Sequence, residues 1–126
     1  MVRIGRYDGP HRDRGGSGNQ DAMQIDTEEN AGILIARVAE TRIDASVAIR
    51  FKDTMRRIVV GTRSQRIVLD LGQVDFLDSS GLGAIVSVMK LLPSGQRLEL
   101  AALTGNVAKV LRLTRMDTIF PILATA

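Results

Sequence analysis

The residues of this chain that are best suited to do chemistry form the hexapeptide DSSGLG, Asp78 to Gly83. It holds one carboxylate and two adjacent hydroxyls, and it lies between the apolar runs IVLDL and AIVSVM. A serine in such a place can act as a nucleophile, cap a helix or accept a phosphate. Each role needs different neighbours, so the rest of the sequence discriminates between them.

A nucleophilic serine needs a base to take its proton, and the sequence offers none. The single histidine, His11, lies in an N-terminal segment where we expect a solvated side chain. The lysines Lys52, Lys90 and Lys109 fall on polar helix faces, and cysteine is absent. The glycines match neither a nucleophile elbow nor a phosphate-binding loop. We expect no catalysis, no metal and no cofactor.

The other two roles remain open on the residues alone. Asp78, Ser79 and Ser80 precede an apolar run, as the capping residues of a helix do. Gly81 and Gly83 then serve only to let helix and strand pack closely. Alternatively, an exposed serine at a helix N-terminus tolerates a phosphate, because the helix dipole favours an anion there. That phosphate would repel an acidic partner surface without unfolding the domain.

Length and charge narrow the class of protein. The 126 residues fit one domain, and the formal charge is +3. Residues 1–20 carry four arginines and two aspartates, which leaves +1 for the remaining 106 residues. With only four aromatic residues as well, we expect no nucleic-acid binding. We also expect no membrane insertion, a cytoplasmic location and a monomer.

The elements that must position DSSGLG begin after a Gly- and Arg-rich segment, residues 1–20, which we predict to be a flexible tail. Residues 21–40 predict two strands around the turn ENAG, the second covered on both faces. Asp44 is predicted to cap an amphipathic helix. The apolar stripe of that helix is Ala48, Phe51, Met55 and Ile58.

The second half continues the alternation of strands and helices. RIVLDL predicts a central strand covered on both faces, and the helix after DSSGLG has a predicted core stripe of Leu82, Ile85, Val86 and Met89. RLELAAL, TGNVAKVLRLTRM and DTIFPILA predict a strand, a short helix and a short edge strand. The order β-β-α-β-α-β-α-β predicts an α/β domain over residues 21–126. It would have a mixed, mainly parallel sheet of four to five strands covered by three to four helices.

The segment IVLDLGQVDFLDSSGLGAIVSVMKLL closely resembles the signature of the STAS domain, in particular that of the bacterial anti-sigma factor antagonists. The resemblance runs from about residue 22 to residue 122, and DLGQVDFLDSSGLG is its most specific part. It implies a STAS fold and a binding module that is not an enzyme.

The resemblance also implies partners. In this family the antagonist binds an anti-sigma factor that is a serine kinase with an ATP-binding, histidine-kinase-like fold, and so frees a sigma factor. The kinase uses ATP to phosphorylate the antagonist, which ends binding, and a serine phosphatase restores it. The motif places the acceptor at Ser79, with Ser80 less favoured. The predicted docking surface consists of Asp44, Asp78, Ser79, Ser80, Gly81, Leu82, Gly83, Ser87, Lys90 and Leu91.

One departure and one alternative accompany the resemblance. Relatives often carry Gly-Glu-Leu-Asp before the first helix, whereas this chain reads TRID, Thr41 to Asp44. Arg42 thus replaces an acid at an expected contact surface, which predicts an unusual choice of partner. The alternative is a STAS subunit that docks permanently in a signalling scaffold or a lipid-transport ATPase, with Ser79 only as a helix cap.

Overall fold

Strands and helices follow one another largely as the apolar runs predict. The computed structural model describes residues 3–7 and 23–126. The strands are β1 (Arg3–Tyr7), β2 (Ile25–Asn30), β3 (Ile33–Val38), β4 (Arg42–Ile43), β5 (Arg66–Asp70), β6 (Phe76–Leu77), β7 (Arg97–Ala101) and β8 (Ile122–Leu123). The helices are α1 (Ala48–Val60), α2 (Ser79–Leu91) and α3 (Gly105–Leu113), and a 3₁₀ turn spans Met116–Thr118. The predicted α/β class is confirmed.

The main sheet is mixed, in the strand order β1-β2-β3-β5-β7-β8, and β4 and β6 form a separate parallel pair. β1, β2 and β3 pair antiparallel, whereas β3, β5, β7 and β8 pair parallel. In the predicted turn, Ala31 and Gly32 have φ angles of 53° and 84°. Two positive φ values are typical of the type I′ hairpin turn, whose twist matches the flanking strands. The short strands β4 and β6 were not predicted.

The strand β1 departs from the predicted tail. Arg3–Tyr7 pairs antiparallel with β2 along its whole length. An edge strand offers free backbone N–H and C=O groups to any extended segment, so few apolar side chains are needed to join it. These five residues, predicted as part of a flexible tail, form a strand in the structure. The rest of the predicted tail, including His11, lies outside the described residues, and the boundary at residue 20 stays a prediction.

The hydrophobic core lies against one face of the main sheet. Along β3, Leu34, Ala36 and Val38 are buried, whereas Ile33 and Ile35 are only half-buried. The prediction that this strand is covered on both faces is therefore wrong. All three helices pack against this face. Strand register brings four further buried side chains to it: Ile67, Leu69, Leu98 and Leu100. β5 is buried on its other face as well, where Val68 is 2% exposed.

A buried carboxylate lies on the opposite sheet face. The Glu99 side chain is 3% exposed, accepts hydrogen bonds from Arg66 Nε and Nη2 at 3.0 and 2.7 Å, and accepts one from Arg97 Nε at 2.7 Å. These donors, Arg66 foremost, hold the pKa of Glu99 below its ordinary 4.5 despite burial. The same hydrogen bond raises the pKa of Arg66. A glutamate in an alternating strand suggests exposure, so the sequence did not reveal this cluster.

The helix α1 buries most of the side that its periodicity predicts, with Ala48 only partly buried. Phe51, Met55 and Ile58 of α1 are buried, as are Val107 and Leu111 of α3. β8 is a two-residue edge strand beside β7, as expected from the proline just before it.

The inner side of α2 differs from the prediction. Ala84 and Val88 are buried although the predicted core stripe does not include them, whereas Val86 and Met89 of that stripe are only partly buried. α2 packs against α1 as well as over the sheet. A helix that is apolar nearly all round contains no signal for which side faces inward.

Candidate partner-binding site

Asp78 caps α2, as its place in the sequence predicts. It has an extended backbone, and its Oδ1 accepts a hydrogen bond from the Gly81 N–H at 2.9 Å. This bond satisfies one of the N–H groups that a helix leaves without a partner in its first turn. The carboxylate also places a negative charge at the positive end of the helix dipole. The capping role is therefore real, whatever else this segment does.

The second oxygen of the same carboxylate reaches another element. Asp78 Oδ2 accepts a hydrogen bond from the Ala45 N–H at 3.2 Å. Ala45 lies in the turn that connects β4 to α1. One side chain thus links the start of α2 to that turn, and a substitution of Asp78 would remove both hydrogen bonds.

Asp44 does not cap α1, contrary to the prediction. α1 begins at Ala48 behind Val47, which makes no side-chain cap. Asp44 Oδ1 instead accepts hydrogen bonds from the backbone N–H and hydroxyl of Ser46 at 3.0 and 2.6 Å. An aspartate that bonds the backbone two residues ahead stabilises a turn. Residues 45–47 form that turn and delay the helix.

The parallel pair β4–β6 brings Asp44 and Asp78 to one place. Arg42 lies opposite Phe76, and Ile43 lies opposite Leu77. Asp44 follows the first strand and Asp78 the second, so the two carboxylates leave the same end of the pair. The Ser46 hydrogen bonds, and then Arg42 Nε at 3.1 Å from Oδ2, lower the pKa of Asp44 from its ordinary 3.8. Both carboxylates are acceptors already engaged by neighbouring donors.

The two serines stand free beside these carboxylates. Ser79 and Ser80 open α2, and both are exposed. Neither hydroxyl makes a hydrogen bond to any residue that the structure describes. The described residues include no histidine that could act as a base, since His11 falls outside them. Both hydroxyls are therefore accessible to solvent.

The two glycines of the motif have different structural roles. A Cβ at Gly81 would lie 2.0 Å from the backbone oxygen of Ile43 and 2.8 Å from a methyl of Leu77. Only glycine lets α2 approach β4 this closely. A Cβ at Gly83 would meet no atom of the described residues within 4 Å. The prediction of close packing holds for Gly81 but not for Gly83, and Leu82 between them points into the core.

The remaining predicted contact residues spread along α2. The Ser87 hydroxyl donates to the Gly83 carbonyl at 2.9 Å, and Lys90 is exposed. Leu91 is 45% exposed but lies at the other end of the helix, about 18 Å along its axis from Ser79 at 1.5 Å per residue. There it lines an open groove of 480 Å³ with Val60. The structure thus does not bring Leu91 to the serines, and docking at all these residues stays a prediction.

One exposed contact beside the site involves a residue that the sequence analysis did not single out. The Arg42 guanidinium carbon lies 4.3 Å from the centre of the Phe76 ring. The segment around Phe76 has no simple period, so its exposure could be found only from the structure.

Over residues 3–7 and 23–126, no helix is long and apolar enough to cross a bilayer, and no acidic or histidine cluster could hold a metal ion.

Solved structures of the same fold include proteins named as anti-sigma factor antagonists. A crystal structure of an anti-sigma factor antagonist from Mycobacterium paratuberculosis superposes with a TM-score of 0.72 at 24% identity, over 83% of this chain and 88% of that one. The Bacillus protein SpoIIAA in its phosphorylated form gives a TM-score of 0.58 at 17% identity, over 80% of this chain and 91% of that one. At such identities the similarity shows the fold alone.

Sequence comparison identifies the family. The anti-sigma F factor antagonist of Paenibacillus polymyxa is 29% identical over 101 residues, which cover 79% of this chain and 86% of that protein. A Bordetella bronchiseptica protein named as an anti-sigma factor antagonist, BtrV, is 30% identical over 101 residues, or 79% and 85% of the two chains. A family model described as the STAS domain matches residues 24–126. The chain therefore belongs to the STAS domain family, in its group of anti-sigma factor antagonists.

Proposed function

We propose that this chain is a binding module controlled by phosphorylation. Its unphosphorylated form binds an anti-sigma factor that is also a serine kinase, and thereby frees a sigma factor. Phosphorylation of Ser79 ends the interaction, and a serine phosphatase restores it. The observation that carries the proposal is the position of Ser79, which is exposed, free of hydrogen bonds to the described residues and first in α2.

Physical chemistry favours a fold that survives this modification. A phosphate at Ser79 would lie at the positive end of the α2 dipole, where free N–H groups accommodate an anion. Nothing in the core has to move, because the hydroxyl already faces solvent. The added charge of nearly −2 would join the carboxylates of Asp78 and Asp44. The surface next to the helix would then repel a partner that had matched the unmodified form.

The choice between the two serines rests on the motif. Both hydroxyls are exposed and equally free of hydrogen bonds to the described residues. Ser79 corresponds to the position that the family phosphorylates, which is why we assign it as the acceptor and Ser80 as its neighbour. The two positions are therefore a matched pair for experiment.

All chemistry in this proposal belongs to the partners. The kinase supplies ATP and the catalytic base, and the phosphatase removes the phosphate, so this chain needs no cofactor and no catalytic residue. SpoIIAA, which shares the fold, has been solved in a phosphorylated form. A cytoplasmic monomer suits this role, because both kinase and sigma factor act there.

The test compares the wild type with Ser79→Ala, Ser79→Asp and Ser80→Asp as baits in lysate of the source cell. Circular dichroism first shows that all four are folded. We expect wild type and Ser79→Ala to capture an ATP-binding serine kinase, identified by mass spectrometry, and Ser79→Asp to lose it. Charge at a docking face predicts a loss of roughly 2–5 kcal/mol, which is at least about thirtyfold in affinity. Ser80→Asp should lose less.

Two results would overturn the proposal. If Ser79→Asp binds the kinase as tightly as wild type, Ser79 is not the switch. If all four baits capture one transport ATPase or signalling scaffold, the chain docks permanently and the serine is only part of a helix cap.

A further inference from the structure

Phe76 stands out among the aromatic side chains that the structure describes. Phe51 and Phe120 are buried, at 0% and 3% exposure, whereas Phe76 is 41% exposed. It sits on the two-residue strand β6, directly before the buried Leu77 and the capping Asp78. An exposed aromatic ring is costly to hydrate, and such rings are enriched in protein interfaces.

Arg42 is held over this ring by two contacts. Its guanidinium carbon lies 4.3 Å from the ring centre, and its Nε donates to Asp44 Oδ2 at 3.1 Å. The side chain remains 58% exposed. Neither Nη atom makes a hydrogen bond to a residue within the described ranges. The guanidinium plane is thus oriented in advance, with one two-donor edge free.

This pair is continuous with the surface around Ser79. Arg42 and Phe76 face each other across β4 and β6, while Ile43 and Leu77, the next pair in register, are buried. One residue further, Asp44 and Asp78 emerge, and Asp78 opens α2 just before Ser79. The Ala45 N–H, bonded to Asp78, closes the turn between them. A partner that covers the start of α2 therefore has Arg42 and Phe76 beside it.

We propose that Arg42 and Phe76 extend the partner-binding surface beyond the start of α2, and that Arg42 binds a carboxylate of the partner protein. The free Nη edge takes both carboxylate oxygens, and Phe76 packs against an apolar side chain next to that acid. This inference rests on the proposed function for the existence of a protein partner, and it adds the chemistry by which the partner is selected.

The local charges favour a single carboxylate over a polyanion. Asp44, Asp75 and Asp78 surround the pair within a few residues of sequence, and Asp75 lies directly before Phe76. A nucleic acid would meet these three acids together with one arginine, which is the reverse of a basic binding stripe. A planar guanidinium with a free two-donor edge matches one carboxylate geometrically.

The experiment uses the kinase captured by the wild-type chain, purified and titrated by calorimetry. Arg42→Gln and Phe76→Leu should each weaken binding at least about tenfold, as central interface residues do. Arg42→Glu should weaken it further, because it sets like charges against each other. Arg56→Gln removes an exposed arginine that is paired with Asp53 on α1, and as the control it should bind like wild type.

A zero-length cross-link tests the carboxylate directly. In Arg42→Lys, a carbodiimide joins the lysine Nζ to a touching carboxyl as an amide, and the reagent takes up the lost water as a urea. We expect an amide to one acidic residue of the kinase, located by mass spectrometry, and none from Arg56→Lys. Once that acid is mutated, Arg42→Gln should no longer weaken binding, which a double-mutant cycle measures.

The outcomes separate this inference from the proposed function. If Ser79→Asp abolishes binding while Arg42→Gln and Phe76→Leu bind like wild type, the switch stands and this inference is overturned. If the Arg42 variants weaken binding but Ser79→Asp does not, the inference stands and the switch fails. All these titrations use unphosphorylated protein, so a contact between Arg42 and a phosphate on Ser79 cannot account for a loss of affinity.

Discussion

The inner and outer sides of the first turns of α2 differ sharply in what constrains them. On the inner side, Gly81 lies against the backbone of Ile43, and Leu82 and Ile85 fill the core. On the outer side, Ser79 is exposed and Gly83 has open space around it. Packing within the chain explains the inner residues, whereas no contact among the described residues explains the outer ones.

The difference allows stability and the proposed binding to be tested separately within one short motif. A glycine in an exposed helix position costs roughly 1 kcal/mol relative to alanine, and at Gly83 no contact with the described residues offsets that cost. Asp78 joins the two sides, because its carboxylate caps the helix and holds the Ala45 turn. Substitutions on the two sides should therefore separate stability from binding.

Gly81→Ala should produce the largest effect, on stability. The added Cβ would lie 2.0 Å from a backbone oxygen that cannot swing away. Such overpacking costs about 3 kcal/mol or more, which outweighs a helix-propensity gain of roughly 1 kcal/mol. Urea unfolding measures the change in the free energy of unfolding. A variant as stable as the wild type would show that α2 does not approach β4 so closely.

Gly83→Ala should raise the stability of the chain and weaken its binding to the partner. Its Cβ meets nothing, so the free energy of unfolding should rise by up to about 1 kcal/mol. Binding of the captured kinase should nevertheless weaken, because the methyl group stands between the partner and the helix backbone. Urea unfolding and calorimetry on the same preparation check both parts. Unchanged affinity would remove Gly83 from the predicted docking surface.

The smallest effect concerns the titration of Asp44. Its pKa is lowered in the folded state, so its contribution to stability is present above its ordinary pKa of 3.8 and is lost as pH falls through the folded pKa. An NMR titration of the carboxyl carbon should give a midpoint below 3.8.

The same titration tests the causes of the lowered Asp44 pKa. Ser46→Ala and Arg42→Gln should each raise the Asp44 midpoint, since the Ser46 side-chain hydrogen bond is the largest cause of the lowered pKa and the Arg42 side-chain hydrogen bond comes second. A midpoint that moves in neither variant would contradict the hydrogen bonds assigned to Asp44. Because the hydrogen bonds of Asp44 to Ser46 and Arg42 are exposed to solvent, none of these changes should approach the effect of Gly81→Ala.

Local patterns predicted much of this fold. The ENAG turn, the inner stripe of α1 and the cap at Asp78 all follow from interactions within a few residues. Predictions failed where the deciding contact is distant in sequence. The inner side of α2 depends on α1, and the burial of Glu99 depends on Arg66, which is 33 residues away.

By itself, the sequence determined the alternation of the longer strands and helices from β2 to β8, the cap at Asp78 and the family to which DSSGLG points, because periodicity, capping and motif are local properties of a chain. Tertiary structure alone decided three further things: that Asp44 stabilises a turn rather than capping α1, that Gly81 and Gly83 have different roles, and that Arg42 lies over Phe76. The physical reason is that strand register and helix docking set distances between residues far apart in the chain, and those distances decide which side chains are packed and which remain free to meet a partner.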